Sequence, residues 1–202
     1  MDAATAPPPA APRPLPDPPV DWRPEPAPIS VEQYHAMGEA GILTTEDRVE
    51  LIEGIVVGKP MKGPLHNFVV KTLDSRLTGL AGTDHHVRQE FPVVLPTSEP
   101  EPDLAFVRGN PSDFRTANPS GADCLLVIEV SDTTLGRDLF KADAYASGGV
   151  PRYWIVDLTG RRLIVHSDPT AGGYRSVVEA DAAEVTLPGG PLRVAVADLL
   201  AD

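Results

Sequence analysis

An α/β (α+β) domain built on a mixed sheet is the fold class that three features of the chain predict. The first is a buried-strand signature. Cys124-Leu125-Leu126-Val127-Ile128 is an unbroken apolar run, as expected of a central strand covered on both faces. The second is a pair of helical patterns, Pro64 to Leu80 and Leu135 to Ser147, with apolar residues at three- and four-residue spacing. The third is the order of patterns along the chain: helix, strands, helix, strands, helix, strands.

The chain of 202 residues, 42% of them apolar, has room for one domain with a sizeable core plus a tail. The tail is residues 1–29, which hold eleven of the 23 prolines. Proline fixes φ and removes a donor, so this stretch is expected to be disordered or polyproline-like, with no partner that the sequence identifies. Trp22 is its one residue suited to docking on the domain. The domain is expected over residues 30–202.

A net charge of −12 excludes a general electrostatic attraction to nucleic acid. It leaves open a local basic groove, or a divalent ion bridging carboxylates to phosphate. Cys124 is the single cysteine, so no intrachain disulfide forms, and its strand setting suggests an inert buried thiol. One cysteine and five scattered histidines build no zinc cluster. No apolar run approaches a membrane span, and the N-terminus lacks a signal-peptide pattern, so a soluble cytoplasmic protein is expected.

Ser30-Val31-Glu32-Gln33 matches a capping box and predicts a helix to about Met37, ended by Gly38 or Gly41. Arg48 to Gly58, with Glu53-Gly54 between apolar alternations, predicts a hairpin. Pro64 suits the first turn of the next helix. His66, near its start, reads as a surface or capping residue. Val87 to Leu95 predicts a strand that Pro92 confines to an edge or bulge. Leu104 to Val107 is a strand with Asp103 at its head. Ser131 to Thr134 supplies capping residues for the helix at 135–147, which Gly148-Gly149 stops. Strands follow at 152–157, 162–166, 174–178 and 184–187, with a last helix at 196–200.

Glu129 ends the buried strand, where a carboxylate is rarely left without a partner or a metal. Asp103 heads another apolar run. Lys141 shares a helix face with Arg137 and Tyr145. Glu50 lies among apolar neighbours, either as a third acidic group or as a surface residue on an alternating strand. Two hard carboxylates and a lysine suit a metal-assisted attack on a phosphodiester. Spacing alone favours the alternative, a structural ion pair in which Lys141 satisfies Asp103 and Glu129.

Glu129-Val130-Ser131-Asp132-Thr133-Thr134, Asp138, Lys141, Tyr145 and Gly149-Val150-Pro151-Arg152-Tyr153-Trp154-Ile155-Val156-Asp157 resemble the Uma2 family, also called DUF820, of the PD-(D/E)XK nuclease superfamily. Val49 to Gly54, His66 and Pro102-Asp103-Leu104 match its earlier pattern, and the resemblance spans roughly Ser30 to Leu200. It implies a mixed sheet flanked by helices, Mg2+ dependence (with Mn2+ as a substitute), DNA as substrate and a homodimer. Asp103 and Glu129 take the metal-binding positions and Glu50 an auxiliary acidic position. The superfamily's lysine, two residues after the second acid, is replaced here by Ser131. The resemblance moves that lysine to the helix, at Lys141.

The resemblance implies a Mg2+-dependent DNA endonuclease. The alternatives are a non-catalytic interaction protein on a nuclease-like fold, which the net charge favours, and a metal-dependent hydrolase of another substrate. A nuclease needs cations over the acidic site, and Lys59, Lys62, Lys71, Arg76, Arg88, Arg108, Arg115 and Arg137 are the candidates.

Overall fold

Ser30 caps the first helix as its sequence requires. In the computed structural model, which describes residues 25–201, Ser30 Oγ accepts from the Gln33 N–H at 3.2 Å. Gln33 Oε1 accepts from the Ser30 N–H at 2.8 Å. Both ends of the capping box are therefore closed, and α1 runs Val31–Glu39. Helix α1 passes through Gly38 and stops at Ala40, just before Gly41 at φ 69°. Residues 1–24 of the Pro-rich tail, Trp22 included, lie outside the described residues.

The predicted hairpin is β1, Val49–Ile52, against β2, Ile55–Gly58. Its two-residue turn has Glu53 at φ 48° and Gly54 at φ 74°, the left-handed pair that matches strand twist. Helix α2 follows over Pro64–Thr78, with proline at its first turn.

The main sheet has six strands in the order β3-β4-β5-β6-β7-β8. These are β3 His85–Arg88, β4 Leu104–Arg108, β5 Cys124–Ser131, β6 Arg152–Asp157, β7 Arg162–Thr170 and β8 Gly173–Ala180. Only β5 and β6 run parallel, and helix α3, Leu135–Ser147, makes the crossover between them. A second hairpin, β9 Ala182–Leu187 with β10 Gly190–Ala195, and a short helix α4, Val196–Leu199, complete the fold.

Side-chain alternation divides the interior into two layers. On one face Phe106, Ile128, Val130 and Trp154 pack against Val69, Leu73 and Leu77 of α2 and against Leu192 and Leu199. On the other, Ala105, Val127, Tyr153 and Ile155 pack against Ala142 and Tyr145 of α3. Each fully buried Leu, Val or Phe contributes roughly 1.5–3 kcal/mol. Cys124 is buried and unpaired, and burial pushes its thiol up to about 12. It is the inert thiol that the sequence suggests.

Three elements differ from expectation. The edge strand β3 ends at Arg88 and does not run to Leu95, because Glu90 turns the chain at φ 56°. Strand β7 extends beyond His166 through Pro169, which pairs with Tyr174. Strand β10 has no counterpart in the sequence prediction. Its Leu192 and Val194 are buried alternately with exposed Arg193, but the Gly189-Gly190-Pro191 run reads as a turn.

Candidate active site

The site lies where the start of β4 meets the end of β5. These strands are antiparallel neighbours, with Leu104 opposite Ile128, so Asp103 comes level with Glu129. Glu129 has the same parity as Val127 and points to the α3 side. The Asp103 N–H donates to Glu129 Oε2 at 3.2 Å, and the Val130 N–H donates to Asp103 Oδ2 at 2.7 Å. Both carboxylates are buried.

The helical spacing of α3 delivers the cations. Lys141 Nζ donates to Glu129 Oε1 at 2.8 Å and lies 3.0 Å from Glu50 Oε1. One turn away, Tyr145 Oη donates to the same Glu129 oxygen at 3.2 Å. One turn in the other direction, Arg137 binds Glu50 and donates to the Gly58 carbonyl at 2.7 Å. Glu50, on β1, is 2% exposed and accepts from the Glu101 N–H at 3.0 Å. It is a third acid of the site, not a surface residue. Ser131, two residues after Glu129, is buried with its Oγ 3.5 Å from Thr134 Oγ1. Thr134 caps α3 without a side-chain bond to the backbone, its hydroxyl going instead to Asp138 at 2.9 Å.

The opposite wall is the segment between β2 and α2. Lys62 Nζ donates to Asp103 Oδ1 at 2.6 Å and lies 3.2 Å from Glu90 Oε1. Lys59 pairs with Glu101 at 2.6 Å. His66 is buried, and its Nε2–H donates to Asp103 Oδ2 at 3.0 Å. It is thus a constituent of the site and not the surface or capping residue expected. The structural ion pair that the sequence allowed is divided: Lys141 serves Glu129 and Glu50, while Lys62 and His66 serve Asp103.

These groups set each other's protonation. Burial pushes Asp103 up, but His66 and Lys62 outweigh it and hold its carboxyl below the ordinary range. Burial likewise opposes ionisation of Glu50, and Lys141, the Glu101 amide and Arg137 outweigh it. Glu129 is the exception. Its burial, with the charges of Asp103, Asp138 and Glu50 added, raises it to about 8 in spite of Lys141. Lys141 keeps its proton, because Glu129 and Glu50 overcome its own burial.

The cleft has an enclosed volume of ≈ 60 Å³. Six acidic residues line it (Glu50, Glu101, Asp103, Glu129, Asp132, Asp138) against four permanent cations (Lys59, Lys62, Arg137, Lys141), and the excess reaches two negative charges only when Glu129 and Asp138, both raised, are ionised and His66 is neutral. Of the candidate cations, Lys59, Lys62 and Arg137 are brought here, and Lys71, Arg76, Arg88, Arg108 and Arg115 are not. Hard oxygen donors of this kind, with the charge they gain on ionisation, fit a divalent ion of the Mg2+ type. Among the described residues no three His, Cys, Asp or Glu side chains converge into a ready-made cage.

The structure is similar to the crystal structure of "a putative nuclease belonging to DUF820 from Anabaena variabilis ATCC 29413", with a TM-score of 0.62 and 17% identity over 86% of this chain and 98% of that one. The class is thereby defined as a mixed-sheet α+β domain of nuclease-like fold. The Uma2 family model, described as "Putative restriction endonuclease", matches residues 31–196, and the chain belongs to the Uma2 family. None of the curated proteins matches it.

Proposed function

We propose that this chain is a Mg2+-dependent DNA endonuclease acting at the Asp103–Glu129 cleft. The observation that carries the reading is the meeting of two carboxylates from adjacent strands with a lysine bonded to one of them. Asp103 and Glu129 would hold the ion, Mg2+ or Mn2+, which when bound supplies Lewis-acid polarisation of a phosphate and lowers the pKa of water.

The chain's own residues supply the rest. Lys141 sits beside Glu129, where an ammonium orients the attacking water and offsets charge growing on the phosphate. Glu50 and Tyr145 position it: Glu50 holds Lys141 and Arg137 together, and Tyr145 fixes the Glu129 oxygen that Lys141 uses. Packing of α3 on β5 and β6 makes this shell rigid.

The test is nicking of supercoiled plasmid by the full chain in Mg2+, in Mn2+ and in EDTA. Metal-dependent nicking that Asp103→Asn removes supports the reading. No cleavage of any DNA under either ion would move the assignment to a non-catalytic interaction protein, which the net charge of −12 favours.

A further inference from the structure

Lys62 differs from the other cations of the cleft. Arg137 and Lys141 rise from α3 and hold Glu50 and Glu129. Lys62 comes from the opposite wall, in a segment without helix or strand structure over residues 59–63. Its side chain is 22% exposed, against 5% for Lys141.

Its partner is the decisive feature. Asp103 Oδ2 is already committed to the Val130 N–H and to His66. Oδ1 is the oxygen left for an ion, and the Lys62 ammonium occupies it at 2.6 Å. An ammonium and a divalent ion repel each other and compete for one carboxylate oxygen. The chain's own cation therefore stands where a metal would bind Asp103. The lysine also has an alternative position. Glu90 Oε1 lies 3.2 Å from Nζ on the solvent side and is half-exposed, so it retains the ammonium at the mouth once Asp103 is given up. A lysine on a flexible stem makes such an exchange without backbone movement.

We propose that Lys62 is a substrate-handling residue of this site. It holds Asp103 in the ion-free protein, yields Oδ1 to the divalent ion, and turns its ammonium to a phosphate oxygen of the nucleic acid. The inference rests on the nuclease reading above. It adds that ion binding and phosphate binding are coupled through one side chain.

The wild-type full chain tests this directly. Lysines are acetylated with acetic anhydride and Lys62 is followed by mass spectrometry, first without ions, then with Ca2+, then with Ca2+ and a short single-stranded oligonucleotide. Acetylation of Lys62 should rise severalfold with Ca2+ and fall again with the oligonucleotide. In calorimetry with Mn2+, Lys62→Met should bind about tenfold tighter than wild type, because the wild-type affinity is scaled down by the fraction of molecules in which Asp103 is free. Lys62→Arg, which keeps the charge, should stay near wild type. Labelling that ignores the ion, or a Lys62→Met affinity no tighter than a measurable wild-type affinity, overturns the role of Lys62 and leaves the nuclease reading standing. Wild type that binds neither ion overturns both.

Discussion

Asp103 and Glu129 are locked to each other's strands: the Asp103 amide donates to Glu129 at 3.2 Å, and the amide beside Glu129 donates back to Asp103 at 2.7 Å. Neither carboxylate can turn away without leaving a buried donor unmatched. Asp103→Asn and Glu129→Gln keep the shapes and remove an ionisable carboxyl each. Each should reduce plasmid nicking by roughly 10²–10³-fold or more while circular dichroism stays that of the wild type.

Lys141 is buried and answers two acids, Glu129 at 2.8 Å and Glu50 at 3.0 Å. Lys141→Met leaves Glu129 without a counterion and Glu50 with Arg137 alone. The expected loss is about 3–5 kcal/mol in urea unfolding, since breaking a buried pair leaves an uncompensated charge. Lys141→Arg should lose less stability.

His166 supplies a pH dependence remote from the cleft. It is buried beside Tyr153 and Tyr174, its Nδ1 has no hydrogen-bond partner, and burial lowers its pKa from the ordinary 6.5, outweighing the opposing backbone of Tyr153 and Ile164 and the charge of Asp143. The folded state then binds fewer protons than the unfolded state. Stability from this group is complete above pH 6.5 and is lost as pH falls through the depressed folded value. The melting-temperature advantage of wild type over His166→Gln should shrink as buffers go from neutral to mildly acidic. An advantage that grows on acidification would contradict this.

Gly54 joins three segments. It has φ 74°, its N–H donates to the Thr97 carbonyl, and its own carbonyl accepts from Ile29. A Cβ there would stand 2.6 Å from Pro28 Cβ. Gly54→Ala should cost about 1 kcal/mol or more in chemical denaturation.

The site's skeleton is legible in the sequence because it obeys local rules. Glu129 stands out as a carboxylate closing an apolar run, strand pairing brings Asp103 beside it, and the four-residue spacing of α3 puts Arg137, Lys141 and Tyr145 on one face. The opposite wall is not legible. Lys62 sits in a segment with no periodicity, and nothing in the sequence separates it from seven other candidate cations. His66 reads as a surface residue because only the packing of α2 on β4 and β5 aims it at Asp103. Glu50, balanced between core and surface in the sequence, is drawn inward by partners distant in the chain, Arg137 and Lys141. Strand errors have the same origin: a positive φ at Glu90 ends β3, and ladder pairing carries β7 through a proline.

The most direct test of the account is calorimetric titration of Mn2+ into the full chain and into Glu129→Gln. The account predicts saturable binding by the wild type and loss of that binding in the variant, with both proteins folded. Equal binding by the two proteins, or none by the wild type, would contradict the assignment of the Asp103–Glu129 cleft as a metal-dependent active site.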